Sequence, residues 1–232
     1  MGSQRLPGKV LKQVGHQPLL GYVIGQLKRV KAADELVIAT STDAVDEAIV
    51  SLCKTLDIPC YRGPLEDVLG RYVEAAHVYQ ADTVVRICAD CPLIDPAVVD
   101  AVIAFYNSHR SEYDYVSNCL QRTFPRGQDV EVFSRQALDR IGREAKQAEE
   151  REHVTPYFYR HPELFRLGNV FHFQDLSNHR WVVDTQEDFI FISKILEALY
   201  PQRPEYGMQD VLRVLESHPD WIKINAHIQQ KK

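Results

Sequence analysis

Apolar positions between residues 18 and 109 follow two alternating patterns. Runs that are apolar at nearly every position predict buried strands at 35–41, 58–63 and 82–90. Segments in which apolar residues recur at helical spacing flank these runs; they are 18–31, 42–56, 65–80 and 95–109. Near-continuous apolar strands that alternate with helices indicate an α/β fold, with a mostly parallel sheet covered by helices on both faces.

The pattern changes after residue 112 and returns near residue 179. The middle region is predicted to contain strand-like segments and a charged helical stretch that breaks near Pro156; these are strands 113–118, 129–134 and 164–173, and helical stretch 136–161. The last part is predicted to contain a buried strand, two helices and a final strand: 180–185, 186–199, 207–217 and 221–225. We therefore divide the chain into an α/β core (1–112), an inserted α+β subdomain (113–178) and a return to the core (179–232).

The composition is that of an ordinary globular protein. Of the 232 residues, 45% are hydrophobic and 25% are charged. A net charge of -5 gives no support for a nucleic-acid partner. No apolar run approaches the roughly 18 residues of a membrane span, and no signal-peptide order begins the chain. We expect a cytoplasmic protein that binds neither nucleic acid nor membrane.

The five cysteines do not form the even set that a disulfide framework needs. Cys88 and Cys91 have the CxxC spacing of zinc and redox sites. A zinc site would need a second pair, which the sequence lacks, and a redox pair usually opens a helix, whereas this pair brackets a strand end. We interpret these cysteines as local packing around Asp90.

Polar residues that follow the predicted strands mark the expected ligand site, because open α/β sheets bind ligands beyond the carboxyl ends of their strands. These residues are Thr40, Ser41, Thr42, Asp43, Arg62, Gly63, Asp90 and Asp184. Asp90 and Asp184 follow distant strands and are expected to converge. Paired carboxylates of this kind hold Mg²⁺ beside phosphate substrates. Each aspartate could instead be a helix cap or turn residue.

The stretch "GSQRLPGK" (2–9) combines Gly, Pro and the cations Arg5 and Lys9, which suits a loop that wraps phosphates. It is not a Walker A loop, because five residues separate Gly2 from Gly8 and Val10 stands where Ser or Thr is required. The alternative is a Gly/Pro turn with solvated cations. Arg71 and His153 could likewise be ordinary helix-surface residues.

Six segments, in this order along the chain, carry a resemblance to a known family: "MGSQRLPGKVL", "DVLGRY", "ADCPLIDP", "FPRGQDVEVF", "EREHVTP" and "WVVDTQEDF". Together they resemble the cytidylyltransferases that activate sugar acids, nearest to the spore coat polysaccharide biosynthesis protein F group. The synthetases of CMP-Kdo and CMP-neuraminic acid are more distant. The resemblance runs from residue 1 to about residue 200.

The resemblance implies a Rossmann-like fold of the nucleotide-diphospho-sugar transferase type and transfer of CMP from CTP to a sugar acid, with Mg²⁺, for surface polysaccharide or glycan synthesis. It implies a homodimer whose contacts lie in about 113–175. It places the phosphate loop at Gly2, Ser3, Arg5, Leu6, Pro7, Gly8 and Lys9; the metal at Asp90 and Asp184; the nucleoside at Thr40, Thr42, Asp43 and Arg71; and sugar recognition at Gln128, Asp129, Glu131, Arg151 and His153. Lys9, Arg5, Asp90 and Asp184 are the expected catalytic residues.

The family pattern begins with an apolar strand that precedes the phosphate loop, and Met1 stands where the family has an internal Met. We therefore expect a central first strand to be missing and the recorded start to be too late. Two other functions stay open. One is a non-catalytic nucleotide-binding homologue that lost activity with this strand. The other is a nucleotidyltransferase or glycosyltransferase that uses another nucleotide, although "ADC" around Asp90 lacks the DxD motif of similar glycosyltransferases.

Overall fold

The computed structural model describes residues 2–3 and 5–229. Its strands are β1 (Gln13–Val14), β2 (Gln17–Pro18), β3 (Ile38–Ser41), β4 (Cys60–Gly63), β5 (Thr83–Arg86), β6 (Tyr115–Ser117), β7 (Glu131–Ser134) and β8 (Leu167–Asn169). Its α-helices are α1 (Leu19–Leu27), α2 (Glu47–Thr55), α3 (Val68–Val78), α4 (Pro96–Ser108), α5 (Arg135–Glu144), α6 (Ala148–His153), α7 (Pro156–Arg160), α8 (Gln186–Leu199) and α9 (Met208–Ser217). Short 3-10 helices cover Lys9–Leu11, Ala44–Asp46 and Pro219–Ile224.

The strands form a hairpin, a parallel pair and a four-stranded sheet. β1 and β2 make an antiparallel hairpin, and β3 pairs with β4 in parallel. The four-stranded sheet has the order β5-β7-β6-β8. Since β7 is antiparallel to both β5 and β6, and β8 is parallel to β6, only β7 is reversed in this sheet. The predicted α/β class with a mostly parallel sheet is confirmed.

The region 113–178 shares its sheet with the preceding region. Strands β6, β7 and β8 come from it and pair onto β5. Its predicted helical stretch is divided into α5, α6 and α7. The predicted break near Pro156 is the junction of α6 and α7, where Val154 has a positive φ of 70° and Pro156 begins α7, whereas α5 ends earlier, at the extended Ala145. The domain boundaries and the dimer role of this region stay predictions.

Two predicted strands are wrong. Residues 180–185 form only an isolated bridge between Arg126 and Arg180, because the backbone N–H groups of Asp184 and Thr185 donate to the Asp188 carboxylate at 3.1 Å instead of to a neighbouring strand. Residues 221–225 belong to the 3-10 helix that begins at Pro219 and to the turn after it. The strand predicted at 164–173 is confirmed only over β8.

The largest apolar core lies between α4, α8, α9 and the four-stranded sheet, around the fully buried Trp181. A second cluster packs Phe133 of β7 against Phe158 of α7, with ring centroids 5.3 Å apart. A third joins α1 to α2 through residues such as Ile24 and Ile49. No helix of the described residues is long and apolar enough to cross a bilayer.

An apolar cleft of about 480 Å³ separates β3 from β5. Its lining includes Val23 of α1, Ile38 of β3 and Val84 of β5. Among the named strands, β3 pairs only with β4 and β5 pairs only with β7, so each has one edge without a strand partner. The expectation of a missing first strand concerns the start of the chain, and Met1 lies outside the described residues.

Candidate functional site

The segment 5–11 is a tight turn that directs Lys9 into the molecule. Gly8 has a left-handed φ of 66°, which a residue without a Cβ adopts at little cost, and it caps the 3-10 helix that begins at Lys9. The backbone N–H of Leu6 donates to Ser3 Oγ at 3.3 Å, and that of Lys9 donates to the Leu6 carbonyl at 3.2 Å. The Leu6 side chain is buried in the main core and anchors the turn.

Lys9 joins the two predicted metal-binding aspartates. Its Nζ lies 2.5 Å from Asp90 Oδ2 and 2.9 Å from Asp184 Oδ1. Burial opposes the charged form of Lys9, but the two carboxylates outweigh it and raise the pKa of the ammonium. The structure therefore brings Lys9, Asp90 and Asp184 together, and the fourth predicted catalytic residue, Arg5, contacts Asp184.

Arginines hold the second oxygen of Asp184. Arg5 and Arg180 each place a guanidinium nitrogen 3.0 Å from Asp184 Oδ2. Arg180 also binds the fully buried Asp188, through Nε to Oδ1 and through a second nitrogen to Oδ2, each at 2.9 Å. Burial acts to raise the pKa of Asp184, and Lys9, Arg5 and Arg180 more than reverse this effect, so the pKa is lowered. Asp184 is held ionised and fixed in place.

Hydrogen bonds hold the segment from Asp90 to Asp95 in place, one from the Asp184 segment and two from the side chain of Gln128. The Asp90 carbonyl accepts the N–H of Val183 at 2.9 Å, which sets the two aspartate segments side by side. The side chain of Gln128 accepts the N–H of Asp95 at 2.9 Å and donates to the Leu93 carbonyl at 2.6 Å. Both aspartates are thereby positioned by backbone contacts between segments far apart in the sequence.

Cys91 packs beside Asp90. Its thiol is buried and donates to Asp90 Oδ1 at 3.5 Å, and burial raises its pKa well above the ordinary value. Among the described residues, no group of three or more His, Cys, Asp or Glu side chains is arranged to hold a metal. The interpretation of Cys88 and Cys91 as local packing stays a prediction.

The turn after β3 is organised by Asp46. Its Oδ2 accepts from Thr40 Oγ1 at 2.7 Å and from both the Oγ and the N–H of Ser41, at 2.6 and 3.0 Å. Arg62 Nε donates to the Ser41 carbonyl at 3.0 Å. The Thr40 hydroxyl is therefore used within the protein and is buried. The next two predicted nucleoside contacts, 42–43, are exposed and accessible to a ligand.

Arg71 is a buried cation, and one of its N–H donors has no hydrogen-bond partner among the described residues. It is 8% exposed, and among the described residues no acceptor reaches its Nε. Burial lowers the pKa of its guanidinium, although Asp46 and Asp67 lie near enough to oppose the shift. A Cβ at Gly63 would come within 2.5 Å of Arg71 Cγ, so the glycine at the end of β4 makes room for this side chain. Arg71 is not a solvated helix-surface residue.

Most residues expected to recognise a sugar have partners within the protein. Gln128 is fully buried between its two backbone contacts. Glu131 pairs with Arg86 and accepts from Tyr115 OH at 2.6 Å, and Arg151 binds both oxygens of Asp67 at 2.7 Å. The polar groups of these three residues are therefore already engaged within the protein. Two predicted residues stay reachable: Asp129, a quarter exposed and paired with Arg122, and His153, exposed on α6.

Sequence reasoning missed Arg180, Asp188, Arg122 and Asp46. The stretch from Thr185 to Asp188 has the spacing of a capping box, and both of its hydrogen bonds are present, so Asp188 could have been found from this pattern. Arg180 offered no such signal, since a position four residues before Asp184 indicates a contact only within a helix.

The Asp90–Asp184 pair fits a divalent cation. Both carboxylates already bind one positive group from two sides, which is the arrangement that a shared cation requires. Two protein carboxylates, completed by phosphate oxygens and water, are a common donor set for Mg²⁺.

Comparisons with known proteins agree on one family. A family profile described as cytidylyltransferase matches residues 1–217. Spore coat polysaccharide biosynthesis protein SpsF of Bacillus subtilis is 31% identical over 95% of this chain and 92% of its own. The solved structure of a cytidylyltransferase from Leptospira borgpetersenii has a TM-score of 0.91 at 29% identity and covers 100% of this chain and 95% of that one.

A CMP:2-keto-3-deoxy-manno-octonic acid synthetase solved with CTP has a TM-score of 0.65 over 85% of this chain and 95% of its own. Its identity of 17% makes this a likeness of fold. Together with the Leptospira structure it confirms the predicted Rossmann-like nucleotidyltransferase fold.

Proposed function

The chain belongs to the cytidylyltransferase family, and from this premise we propose that it transfers CMP from CTP to a sugar acid and releases pyrophosphate. The name of the Bacillus relative supports a product used in polysaccharide synthesis. The observation that carries the proposal is the convergence of Arg5 and Lys9 from the loop on Asp90 and Asp184 from distant segments.

The phosphates of CTP are assigned to the loop sequence 2–9, of which residues 2–3 and 5–9 are described. Arg5 and Lys9 supply two cations there, and Gly8 lets the backbone turn sharply beside them. The nucleoside is assigned to the exposed end of β3, at 42–43, and to Arg71. The unused Nε donor of Arg71 is suited to a carbonyl or ring-nitrogen acceptor, and cytosine carries both on one edge.

Mg²⁺ is assigned to Asp90 and Asp184. When bound, it would supply neutralisation of the charge on the α-phosphate. The chain's own contribution is to keep Asp184 ionised and to orient both carboxylates. Arg180 holds Asp184, and the Val183 N–H fixes the Asp90 backbone.

In the proposed reaction a sugar hydroxyl oxygen attacks the α-phosphorus of CTP. One phosphorus–oxygen bond forms, the bond to the β-phosphate breaks, and the hydroxyl proton leaves to solvent. Arg5 and Lys9 stabilise the negative charge that develops on the departing pyrophosphate. Such a transfer depends on positioning and charge neutralisation, so the site has no need of a Ser, Cys or His nucleophile.

An acidic acceptor is supported by Arg126. Its guanidinium is half-buried, and no described residue forms a hydrogen bond or ion pair with it. Burial, followed by the nearby charge of Arg122, lowers its pKa, although Asp129 opposes this shift. Arg126 forms a backbone bridge with Arg180, and Arg180 binds Asp184, so this charge lies beside the segment that carries Asp184. A sugar carboxylate is the complementary group.

We also propose a cytoplasmic homodimer. Phe173 is 90% exposed and Phe171 is 56% exposed, directly after the edge strand β8. Apolar side chains exposed beside a sheet edge favour pairing with another surface. Light scattering after size exclusion should give twice the mass of one chain, and Phe173→Asp should shift the protein toward the monomer.

The test of the function is pyrophosphate release with Mg²⁺, each of the four nucleoside triphosphates and a panel of sugar acids that includes 3-deoxy-manno-octulosonate. We expect release with CTP alone and only when an acid is present. Release with another triphosphate would favour a different nucleotidyltransferase. CTP binding without release from any acid would favour a binding protein.

A further inference from the structure

Lys9 occupies the space that the proposed metal site needs. Its ammonium contacts one oxygen of Asp90 at 2.5 Å and one of Asp184 at 2.9 Å. The three side chains are between 13% and 19% exposed, so water contributes little there. A cation bound by the same two oxygens cannot enter while this ammonium remains between them.

The charges around the Asp90–Asp184 pair also indicate that Lys9 is the cation that can leave. Two carboxylates face three cations, since Arg5 and Arg180 bind the second oxygen of Asp184. Arg180 is shared with Asp188 and buried, so it is fixed. Lys9 is different, because its ammonium sits on a flexible four-carbon stem that begins in the phosphate loop. It is the one of these three cations that contacts both carboxylates, and its place in the phosphate loop keeps it near a bound triphosphate after it withdraws.

We propose that Lys9 is a built-in competitor of the metal: the Asp90–Asp184 pair binds either the Lys9 ammonium or a divalent cation, and entry of the metal releases Lys9 toward the phosphates. This inference rests on the proposed function for the identity of the metal site. It assigns Lys9 two positions, one on the carboxylates and one on the leaving phosphates. In the absence of nucleotide, Lys9 therefore weakens metal binding.

The first test measures metal binding without nucleotide or sugar. Full-length protein is titrated with Mn²⁺, and free Mn²⁺ is followed by electron paramagnetic resonance. Lys9→Met keeps the length of the stem and removes the charge. We expect its dissociation constant for Mn²⁺ to fall by about tenfold or more relative to wild type, a typical strength for coupled binding.

Lys12→Met is the matched control. Lys12 lies three residues further along the same segment, and its ammonium rests 5.2 Å from the centroid of the Phe189 ring, not on a carboxylate. This variant should bind Mn²⁺ like wild type. Equal affinity in wild type and Lys9→Met, or equal tightening in both variants, would overturn the proposal. Absence of Mn²⁺ binding from every protein would overturn it as well.

A second measurement uses the wild-type chain and does not depend on how Lys9→Met folds. Trace acetylation with acetic anhydride, read by mass spectrometry, reports how often each amine is free. Saturating Mg²⁺ without nucleotide should raise the labelling of Lys9 severalfold and leave Lys12 unchanged. Labelling of Lys9 that does not respond to Mg²⁺ would contradict the exchange.

Neither measurement involves CTP, so the two proposals fail separately. Tighter Mn²⁺ binding in Lys9→Met, combined with no pyrophosphate release from any triphosphate, would leave the exchange standing and refute the cytidylyltransferase reaction. Release from CTP with unchanged Mn²⁺ affinity would do the reverse.

Discussion

At the scale of single residues, the two aspartates have a role that amides cannot replace. Asp90→Asn and Asp184→Asn keep an oxygen that accepts from Lys9, so both variants should fold. We expect kcat for pyrophosphate release to fall on the order of a hundredfold or more in each, because the negative charge that holds the metal is lost. Asp220→Asn is the control, since that carboxylate is paired only with Lys223 on the surface. Activity within a few-fold of wild type would rule out a metal site on this pair.

Arg71 should show opposite effects on stability and on binding. Arg71→Met keeps the Cγ that packs at Gly63 and removes a buried charge whose Nε has no partner among the described residues. The unfolding midpoint should therefore stay level or rise, while the CTP dissociation constant rises at least about tenfold, the value of a lost hydrogen bond to a charged group.

Arg213→Met is the control, because its side chain is exposed. Thermal unfolding and CTP titration of both variants measure both effects. A large loss of stability with unchanged CTP affinity would show that Arg71 supports the fold only.

The sequence led us to expect that Asp90 and Asp184 converge at strand ends, and that Lys9 serves the phosphates. In the structure Lys9 contacts both aspartates, but residues 180–185 are not a strand, and the hydrogen bond from Val183 to the Asp90 carbonyl sets the two segments side by side.

The sequence did not reveal that Gln128 and Glu131 are used internally. Their partners Leu93 and Arg86 lie far away in the sequence, and only the folded chain brings them together. Polar residues in a family motif can therefore serve the backbone of a site rather than its ligand.

At the scale of secondary structure, an ion pair connects α6 to the start of α3. Arg151 binds Asp67 through two 2.7 Å hydrogen bonds and also donates to the Gly142 carbonyl at the end of α5. Asp67 caps α3 as well, through the N–H of Gly70 at 2.9 Å. The helix that carries Arg71 is therefore anchored at its first turn by a charged contact.

This contact predicts a pH dependence of stability. The hydrogen bonds from Arg151, followed by that from Gly70, lower the pKa of Asp67 below its ordinary 3.8 despite partial burial. A lowered folded-state pKa adds stability above the unfolded pKa and loses it as the pH falls through the folded value. Asp67→Asn keeps the cap and loses the charge. We expect it to cost about 1 kcal/mol at pH 7, since a third of Asp67 is exposed.

Denaturant unfolding of wild type and Asp67→Asn between pH 7 and pH 3 tests this. The difference between them should shrink below pH 4. Asp82→Asn, at a side chain that is 85% exposed, should show no such convergence. A difference that stays constant down to pH 3 would refute the role of the charge.

Residues 180–185 illustrate why one of the two wrong strand predictions failed. Their apolar side chains are buried as expected, Trp181 and Val183 completely. Their backbone donors, however, go to the Arg126 and Asp90 carbonyls and to Asp188. Apolar periodicity predicts burial, and hydrogen-bond partners decide whether a buried segment is a strand.

At the scale of the whole molecule, the cleft between β3 and β5 separates two groups of strands that we expect to differ in local stability. β6 and β7 are buried along almost their whole length, whereas β3 and β4 are half-buried at most positions. Hydrogen exchange of the β3 and β4 amides should require a smaller opening free energy than hydrogen exchange of the β6 and β7 amides. Native-state hydrogen exchange read by mass spectrometry measures this order. Equal protection in both groups would show that the cleft does not weaken the sheet.

The ion pairs at the site also constrain when the site can form. Lys9 and Asp184 are separated by 175 positions, and Lys9 and Asp90 by 81. Contacts of such long separation form late, after the entropy of the intervening chain has been overcome. During synthesis on the ribosome, Asp90 follows Lys9 by 81 positions, and the second carboxylate follows Lys9 by 175 positions. An unfinished chain therefore has no complete site, and catalytic competence is delayed until the fold is nearly complete.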